Sequence, residues 1–283
     1  MMILHFFIDP LIHTFMQNAL IAALLVSSIC AILSCYLVLK SWSLMGDAIS
    51  HAVLPGIVLA FILKIPLGIG AFFGGMFCAL GVGFLKDNSR IKEDTAMGII
   101  FSGMFAFGIV LFAKIQSSVH LTHILFGNLL GVSRSEVWQT FFVSAFVFFI
   151  IILKRKDFLL YCFDPTQAKI VGISPKFLHY SLLMLLALTI VSAMQVVGVI
   201  LVVAMLISPG ITAFILTKRF DKMILIALLT SIFTSIFGTL LSFHIDGAVG
   251  PVIILLQALI FALALAYKKL FKQKLFNTSV PAL

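Results

Sequence analysis

Charged residues are scarce in this chain. Asp, Glu, Lys and Arg make up 10% of its 283 residues and hydrophobic residues 62%, whereas soluble domains carry about 25% charged and about 45–50% apolar residues. The mean hydropathy of +1.23 excludes a soluble globular domain. Apolar runs long enough to cross about 30 Å of hydrocarbon recur along the chain, and they are continuous rather than alternating, which excludes a membrane β-barrel. The sequence therefore predicts an all-α polytopic membrane protein.

Motifs for catalysis and nucleotide binding are also missing. No GxxxxGK[ST], GxSxG, HExxH or CxxC occurs, so neither a phosphate loop nor a common hydrolase or zinc signature is present. The four cysteines, Cys30, Cys35, Cys78 and Cys162, are interpreted as small apolar fillers rather than a disulfide or zinc site. The chain is predicted not to be an enzyme and to hold no permanent cofactor. Any ATP hydrolysis that drives it belongs to another chain.

The apolar runs predict nine membrane-spanning helices. They cover residues 15–39, 47–63, 67–85, 94–113, 137–153, 177–195, 197–217, 223–243 and 249–267. Of the 19 Lys and Arg residues, only Lys64, Lys114 and Arg134 fall on one side of these spans. The positive-inside rule assigns the crowded side to the cytoplasm, which places the N-terminus outside and the C-terminus inside. The net charge of +9 is therefore interpreted as a topology signal.

No linker or repeat divides the chain, so residues 1–283 are predicted to form one membrane domain. Segment 1–14 is expected to lie along the membrane interface, and segment 268–283 to be a cytoplasmic tail whose last residues, FNTSVPAL, are disordered. His5, Asp9 and His13 in the first segment have fourfold spacing. Pro10 interrupts any helix that would align them, so a metal site there is not favoured.

The second predicted span contains an acid and an imidazole, in the stretch GDAISHAVLPG. Asp at the centre of a membrane helix costs about 2.5–3.5 kcal/mol on translocon scales, so such residues usually face a bundle interior or a wet cavity. Positions four apart share one helix face, and Asp47 and His51 should therefore point the same way. Pro55 deprives the His51 carbonyl of its helical partner and predicts a kink. Small residues in the adjacent column predict close helix packing: Ala48, Ala52, Gly56 and Ala60.

Three roles remain open for Asp47 and His51 on residue type alone. The pair could tie two helices together by a hydrogen bond, relay protons as in a secondary carrier, or coordinate a divalent ion. Carboxylate and imidazole suit manganese, iron or zinc without selecting among them. Two ligands per chain are few for a metal site, whereas a two-fold dimer would supply four.

The longest predicted cytoplasmic loop contains the sequence DPTQAKIVG. Asp164 can cap a short helix that begins at Pro165, and Gly172 can end it. This short helix is either a connector or a docking element for a soluble partner.

Several spans carry further polar or small residues. Gln195 lies near the outer end of the sixth span, and Ser208 opens a Ser-Pro-Gly run that is expected to break the seventh. Either residue could border a transport pathway, because broken helices tend to line cavities or to be buried in protein; ordinary helix packing is the alternative. Gly70 and Gly74 form a GxxxG pattern typical of a helix contact.

Four segments carry a resemblance to a known family. They are SLMGDAISHAVLPGI at 43–57, DPTQAKIVGIS at 164–174, AMQVVGVILVVAMLISPGITAFILTKRF at 193–220 and IDGAVGPVIILLQALIFALA at 245–264. Together they closely resemble the permease subunits of bacterial ABC importers for divalent metal ions, and the resemblance extends from about residue 12 to residue 268. It implies a fold similar to that of the vitamin B12 importer permeases and a location in the bacterial cytoplasmic (inner) membrane.

The resemblance also implies partners and site residues. A second permease subunit, either the same chain or a paralogue, would complete the pore, with two ATPase subunits below it and an extracytoplasmic metal-binding lipoprotein above. Asp47 and His51 would be the ion ligands. The segment from Asp164 to Ser174 would be the coupling helix, in which Ala168 and Gly172 have the spacing of importer coupling loops. Outer-side residues that could receive the ion are His120, His123, Glu136, His244 and Asp246.

The form HAVLPG after the acid favours manganese or iron as cargo in that family. A zinc importer of the same family is the alternative. A proton-coupled secondary metal carrier, or an ATP-driven carrier of a metal chelate, are the further alternatives.

Overall fold

The computed structural model describes residues 9–10, 12–114 and 129–278. Its helices are α1, Thr14–Lys40; α2, Met45–Ala52; α3, Leu54–Leu63; α4, Leu67–Asn88; α5, Glu93–Lys114; α6, Arg134–Leu153; α7, Arg155–Phe163; α8, Pro165–Ile170; α9, Pro175–Val197; α10, Val199–Leu216; α11, Phe220–Ile245; and α12, Val249–Thr278. A short 3-10 turn spans Leu129–Gly131, and the described ranges contain no strand. The all-α prediction is confirmed.

Nine helices within the described ranges are long and apolar enough to cross a membrane. Eight are single helices, and the ninth is the combined segment of α2 and α3, Met45–Leu63. The short helices α7 and α8 lie between the fifth and sixth spans. Gly198, with φ at +82°, separates α9 from α10, which suits a residue without a Cβ. The prediction of nine spans, including the abrupt junction between the sixth and seventh, is confirmed.

The most buried helices form the centre of the bundle. In α1 and α9, 72% of the most apolar window is buried inside the protein, against 17% in α5 and α6. Helix α1 packs against α6, α9, α10 and α11, whereas α12 packs mainly on α10 and α11. Because α5 and α6 are equally apolar but little covered, their outer faces are available to lipid or to another subunit.

Helices α3 and α4 approach each other at backbone distance. A Cβ placed on Gly56 would lie 2.1 Å from the carbonyl oxygen of Gly70, and one on Gly74 would lie 3.2 Å from the carbonyl oxygen of Val53. A Cβ on Gly70 would lie 2.5 Å from Cβ of Ala60, and Ala48 and Ala52 are buried in the same span. The predicted small-residue contact and the GxxxG contact are therefore the same interface, seen from its two helices.

The expected break at the Ser-Pro-Gly run in the seventh span is wrong. Helix α10 continues through Pro209 from Val199 to Leu216. Neighbouring groups sustain it: Thr212 Oγ1 donates to the Ser208 carbonyl at 2.7 Å, and a Cβ on Gly210 would lie 2.6 Å from the carbonyl oxygen of Ser34 in α1. A proline inside a membrane helix is tolerated where adjacent helices and hydroxyl side chains support the backbone around it.

The two ends of the chain differ from expectation or lie outside the described residues. Helix α12 continues to Thr278, so the prediction of disorder in the final segment is wrong for residues 276–278, and residues 279–283 are not described. Most of the predicted interfacial segment, including His5, also lies outside the described residues. Within the described ranges, no three His, Cys, Asp or Glu residues are grouped to hold a metal ion.

Candidate functional site

The turn between α1 and α2 fixes where the candidate pair lies. Ser41 adopts a left-handed conformation with φ at +59°, and the Trp42 N–H donates to the Leu37 carbonyl at 2.8 Å. The indole of Trp42 is 1% exposed, so the turn is anchored in the core. The Met45 N–H donates to the Trp42 carbonyl at 3.0 Å. Helix α2 therefore starts directly after the anchor, with Asp47 in its first turn.

One face of α2 is pressed into the protein. A Cβ on Gly46 would lie 3.1 Å from Cδ1 of Leu206 in α10, so the two helices are in close contact. Ser50 donates its hydroxyl proton to the Gly46 carbonyl at 2.7 Å, and Ile49 is fully buried. Because this face is buried, Asp47 and His51 lie on the opposite, open face of the same helix.

Asp47 and His51 lie side by side, as their spacing predicted. His51 Nε2 is 3.4 Å from Asp47 Oδ1. The Asp47 side chain is 47% exposed and the His51 side chain is 31% exposed. A carboxylate on a lipid-length helix avoids hydrocarbon, so this face is suited to water or to another protein rather than to lipid.

Two aromatic rings of α5 hold the imidazole in place. The ring centroids of Phe101 and Phe105 lie 5.6 Å and 5.5 Å from that of His51. His51 Nδ1 is buried without a hydrogen-bond partner among the described residues, while Nε2 faces the carboxylate. The rings therefore leave Nε2 and the Asp47 oxygens as the available donor atoms for an ion.

The helix is interrupted one turn from this pair, as Pro55 predicted. Helix α2 ends at Ala52 and α3 begins at Leu54, with Val53 between them. Val53 still donates to the Ile49 carbonyl at 3.2 Å and accepts from Ile57 at 3.1 Å, so the two pieces remain stacked as one span.

The open side of the pair favours ligand binding over a structural bond between helices. Asp47 and His51 contact each other within one helix rather than bridging two. No third His, Cys, Asp or Glu joins them within the part of the chain that the structure describes. One chain thus offers one carboxylate and one imidazole, and a four-ligand site needs a second subunit or water.

The predicted short helix in the long loop is present as α8. Asp164 Oδ1 accepts hydrogen bonds from the backbone N–H groups of Thr166 and Gln167 at 2.9 and 3.0 Å, which is the predicted N-cap. Gly172, with φ at +85°, follows the end of the helix. Ala168 is completely buried, and this fixes α8 against the bundle.

The outer side of the short helix is apolar. Ile170 is 81% exposed and Val171 is 63% exposed. Phe163, just before this segment, is also exposed. Ile170 and Val171 lie between the fifth and sixth spans, and exposed apolar side chains outside the membrane are typical of an interaction surface.

The cysteine beside this segment is chemically inert. Burial raises the pKa of the Cys162 thiol in α7 to about 12, with a smaller opposing effect of Lys40. A thiol in that state is neither a nucleophile nor a metal ligand at neutral pH. All four cysteines are buried and free, which confirms their interpretation as apolar fillers.

The two predicted pathway residues, Gln195 and Ser208, lie in different cavities. Gln195 lines a cavity of about 390 Å³ between α3, α4, α6 and α9, together with Glu136 and Gly68. Gln139 Nε2 lies 3.5 Å from Gln195 Oε1. Ser208 lies elsewhere, beside Gln257 in a small cavity between α10, α11 and α12.

Sequence reasoning did not bring Glu136 and Gln195 together. The Ser-x-x-Glu pattern that starts α6 is a recognisable capping box, and Ser133 and Glu136 form it. That pattern reveals the cap but not the cavity, because Gln195 is distant in sequence. His120 and His123 lie outside the described residues.

Comparison with known proteins places these features in a family context. Residues 12–268 match the profile of the ABC 3 transport family. The chain is 68% identical over 263 residues to a Haemophilus influenzae protein named "Probable iron transport system membrane protein", covering 93% of this chain and 97% of that one. It is 46% identical over 261 residues to the manganese transport system membrane protein MntB of Synechocystis, covering 92% and 85%.

A solved structure shares the fold and much of the sequence. The structure of PsaBC from Streptococcus pneumoniae in complex with Fab matches with a TM-score of 0.81 and 41% identity, covering 91% of this chain and 94% of that one.

Proposed function

The chain belongs to the ABC 3 transport family, and we propose that it is the membrane-spanning subunit of an ATP-driven importer that moves divalent metal ions, iron or manganese in preference to zinc, into the cytoplasm. The similarity to proteins named for iron and manganese transport supports the choice of cargo. The half-exposed pair of Asp47 and His51 is the single observation that carries the proposal.

The donor atoms of this pair fit a bare divalent ion. A carboxylate oxygen and an imidazole nitrogen are ligands that manganese, iron and zinc all accept. A second permease subunit, identical or paralogous, would bring its own pair to the open face and complete a set of four. The ion is the cargo, so two ligands per subunit allow release as the subunits move apart.

The opposite ends of the bundle would perform different tasks. Sixteen of the 19 Lys and Arg residues lie on the side of α8, so the positive-inside rule assigns that end to the cytoplasm. There the exposed Ile170 and Val171 would dock on an ATPase subunit. At the other end, the cavity with Glu136 and Gln195 faces the side from which an extracytoplasmic binding lipoprotein would deliver the ion.

ATP binding would close the two ATPase subunits and move the two α8 segments with them. The Asp47–His51 sites would then be exposed first to the outside and later to the cytoplasm. A chain that alternates in this way needs a site that both states can reach, and the break beside Val53 lies next to the pair.

Uptake of radioactive metal tests the proposal. Cells without other importers should take up Mn²⁺ or Fe²⁺ faster than Zn²⁺ when they express the complete system. Asp47→Ala and His51→Ala should abolish uptake while the complex still assembles. Asp94→Ala, which removes an exposed carboxylate at the start of α5, is the matched control and should transport normally.

Two results would overturn the proposal. Normal uptake by both site variants would remove Asp47 and His51 from the pathway. Transport by this chain in liposomes without an ATPase subunit, driven by a proton gradient, would instead establish a secondary carrier. Faster uptake of Zn²⁺ than of Mn²⁺ or Fe²⁺ would leave the ATP-driven mechanism in place and make zinc the cargo.

A further inference from the structure

We propose that Trp42, Tyr161 and His179 form a buried link between the ATPase-docking segment and the Asp47–His51 turn. This inference rests on the proposed function, because it assigns the three side chains as positioning residues in ATP-driven transport. They touch neither the ion nor the nucleotide. Their role would be to couple a movement of α8 to a movement of α2.

The link begins in α7, which is joined to α8 through the single extended residue Asp164. The Asp164 N–H donates to the Leu160 carbonyl at 2.8 Å, and Asp164 in turn caps α8. Tyr161 lies one residue after Leu160 and is 4% exposed. Any displacement of α8 by a bound ATPase would therefore also displace the Tyr161 side chain.

The second step crosses from α7 to α9. The Tyr161 hydroxyl and His179 Nδ1 are 2.8 Å apart in a buried hydrogen bond, and His179 is 6% exposed. Helix α9 starts at Pro175, shortly after α8 ends. The hydrogen bond thus closes a loop around the docking segment, with α7 on one side of it and α9 on the other.

The third step reaches the turn that carries the candidate pair. The rings of His179 and Trp42 meet edge to face, with centroids 5.2 Å apart and planes at 77°. Trp42 is 1% exposed, and its carbonyl accepts from Met45 at the start of α2. The turn also meets α7 directly, because Lys40 Nζ lies 3.7 Å from the centroid of the Tyr161 ring.

The chemistry of the link is more specific than packing requires. Burying a phenol and an imidazole is unfavourable unless their polar atoms are paired, and apolar side chains could fill the same volume. A buried polar pair accepts few alternative geometries, so it holds its neighbours in one arrangement. Here that arrangement joins three segments, α7, α9 and the α1–α2 turn, at the end of the bundle that bears α8.

The number of metal ions imported per ATP hydrolysed tests the link. The complete transporter is placed in proteoliposomes, and import of radioactive Mn²⁺ is measured beside ATP hydrolysis. Tyr161→Phe keeps the ring and removes the hydroxyl that meets His179. We expect ATP hydrolysis to persist while the imported metal per ATP falls about fivefold, as the loss of one net hydrogen bond would produce in a coupling equilibrium.

A matched tyrosine provides the control. Tyr36 in α1 is fully buried, and its hydroxyl has no hydrogen-bond partner among the described residues. Tyr36→Phe therefore makes the same chemical change near the same end of the bundle without breaking a link, and it should leave the ratio of metal to ATP unchanged. Trp42→Phe is the second variant; it shrinks the ring that meets His179 and should also lower the ratio.

Two results would overturn the link. One is an unchanged ratio in both Tyr161→Phe and Trp42→Phe. The other is a parallel fall of ATP hydrolysis and import in proportion to lost complex, which identifies a purely structural role. The proposed function fails separately: in that case Asp47→Ala imports normally, whatever Tyr161→Phe does.

Discussion

Two membrane spans of this protein contain an internal proline, and they respond to it differently. In the span that carries Asp47 and His51, the regular hydrogen bonding is interrupted at Val53, which keeps helical dihedral angles, and Pro55 lies in the first turn of α3. In the seventh span, α10 passes through Pro209 without interruption.

Both prolines are buried against a neighbouring helix, so close packing alone does not distinguish them. Around Pro209 the backbone of α10 lies against α1, so that a Cβ on Gly210 would lie 2.6 Å from the Ser34 carbonyl oxygen. Pro55 is packed just as closely, since a Cβ on Gly108 in α5 would lie 2.9 Å from its ring, while the face of Asp47 and His51 in the same span stays half-exposed. The polar surroundings of the two prolines differ instead: the Thr212 hydroxyl donates to the Ser208 carbonyl beside Pro209, whereas the polar face next to Pro55 is open. Hydroxyl side chains that support the backbone help a membrane helix to continue through a proline. The interruption coincides with the candidate site.

The largest loss of stability is expected where the span of Asp47 and His51 contacts α4. Gly56→Ala places a Cβ 2.1 Å from the Gly70 carbonyl oxygen, and neither backbone can yield without separating the helices. We expect a loss of stability of about 3 kcal/mol or more, at the upper end for an overpacked core, and little assembled complex. Thermal unfolding in detergent measures it.

The control for Gly56→Ala is Gly103→Ala in α5, where a Cβ would meet nothing within 4 Å. This variant should be as stable as the unmodified chain or slightly more so, since Ala is the better helix former. Equal stability of Gly56→Ala and Gly103→Ala would show that the α3–α4 contact is looser than the structure indicates.

A smaller loss of stability is expected where α10, the seventh span, contacts α1. Gly210→Ala brings a Cβ to 2.6 Å from the Ser34 carbonyl oxygen and 2.7 Å from its hydroxyl. The hydroxyl can rotate away, but the carbonyl group moves only with the backbone of α1. Because this backbone contact is less severe than the 2.1 Å contact of Gly56, we expect a loss of about 2–3 kcal/mol. The same unfolding measurement tests it. A larger loss here than in Gly56→Ala would reverse the ranking of the two contacts.

The sequence was sufficient for features that depend on local order. Long apolar runs located the nine spans, the fourfold spacing put Asp47 and His51 on one face, and the Asp-Pro pair located the cap of α8. Each of these follows from neighbours along the chain. Small-residue spacing also indicated a close helix contact for the second span and another for the third, without indicating that the two spans contact each other.

Features that depend on distant residues were not predictable in this way. The rings of Phe101 and Phe105 that hold His51 come from another span, and nothing in either segment encodes their meeting. The cavity shared by Glu136 and Gln195 likewise arises from helix packing. The same limit produced the error at Pro209, since the support from α1 cannot be read in the sequence of α10.

Pro55→Ala tests whether the interruption matters for transport. The new N–H can donate to the His51 carbonyl and join α2 and α3 into one helix, which would turn the imidazole relative to its present position. We expect stability to be retained and metal uptake to fall about tenfold, because displacements near 1 Å at a site commonly cost more than this. Uptake equal to that of the unmodified chain would separate the interruption from function.

The smallest effect is expected for Pro209→Ala. Helix α10 is already continuous there, so a new N–H adds a hydrogen bond to the Met205 carbonyl without moving the helix. We expect metal uptake to stay within about twofold and stability to rise by up to about 1 kcal/mol, the usual net value of one hydrogen bond. Uptake and unfolding are measured beside Pro55→Ala. If both variants lose transport equally, the packing of α10 on α1 does not isolate it from the cycle, and Ser208 beside it belongs to the moving pathway.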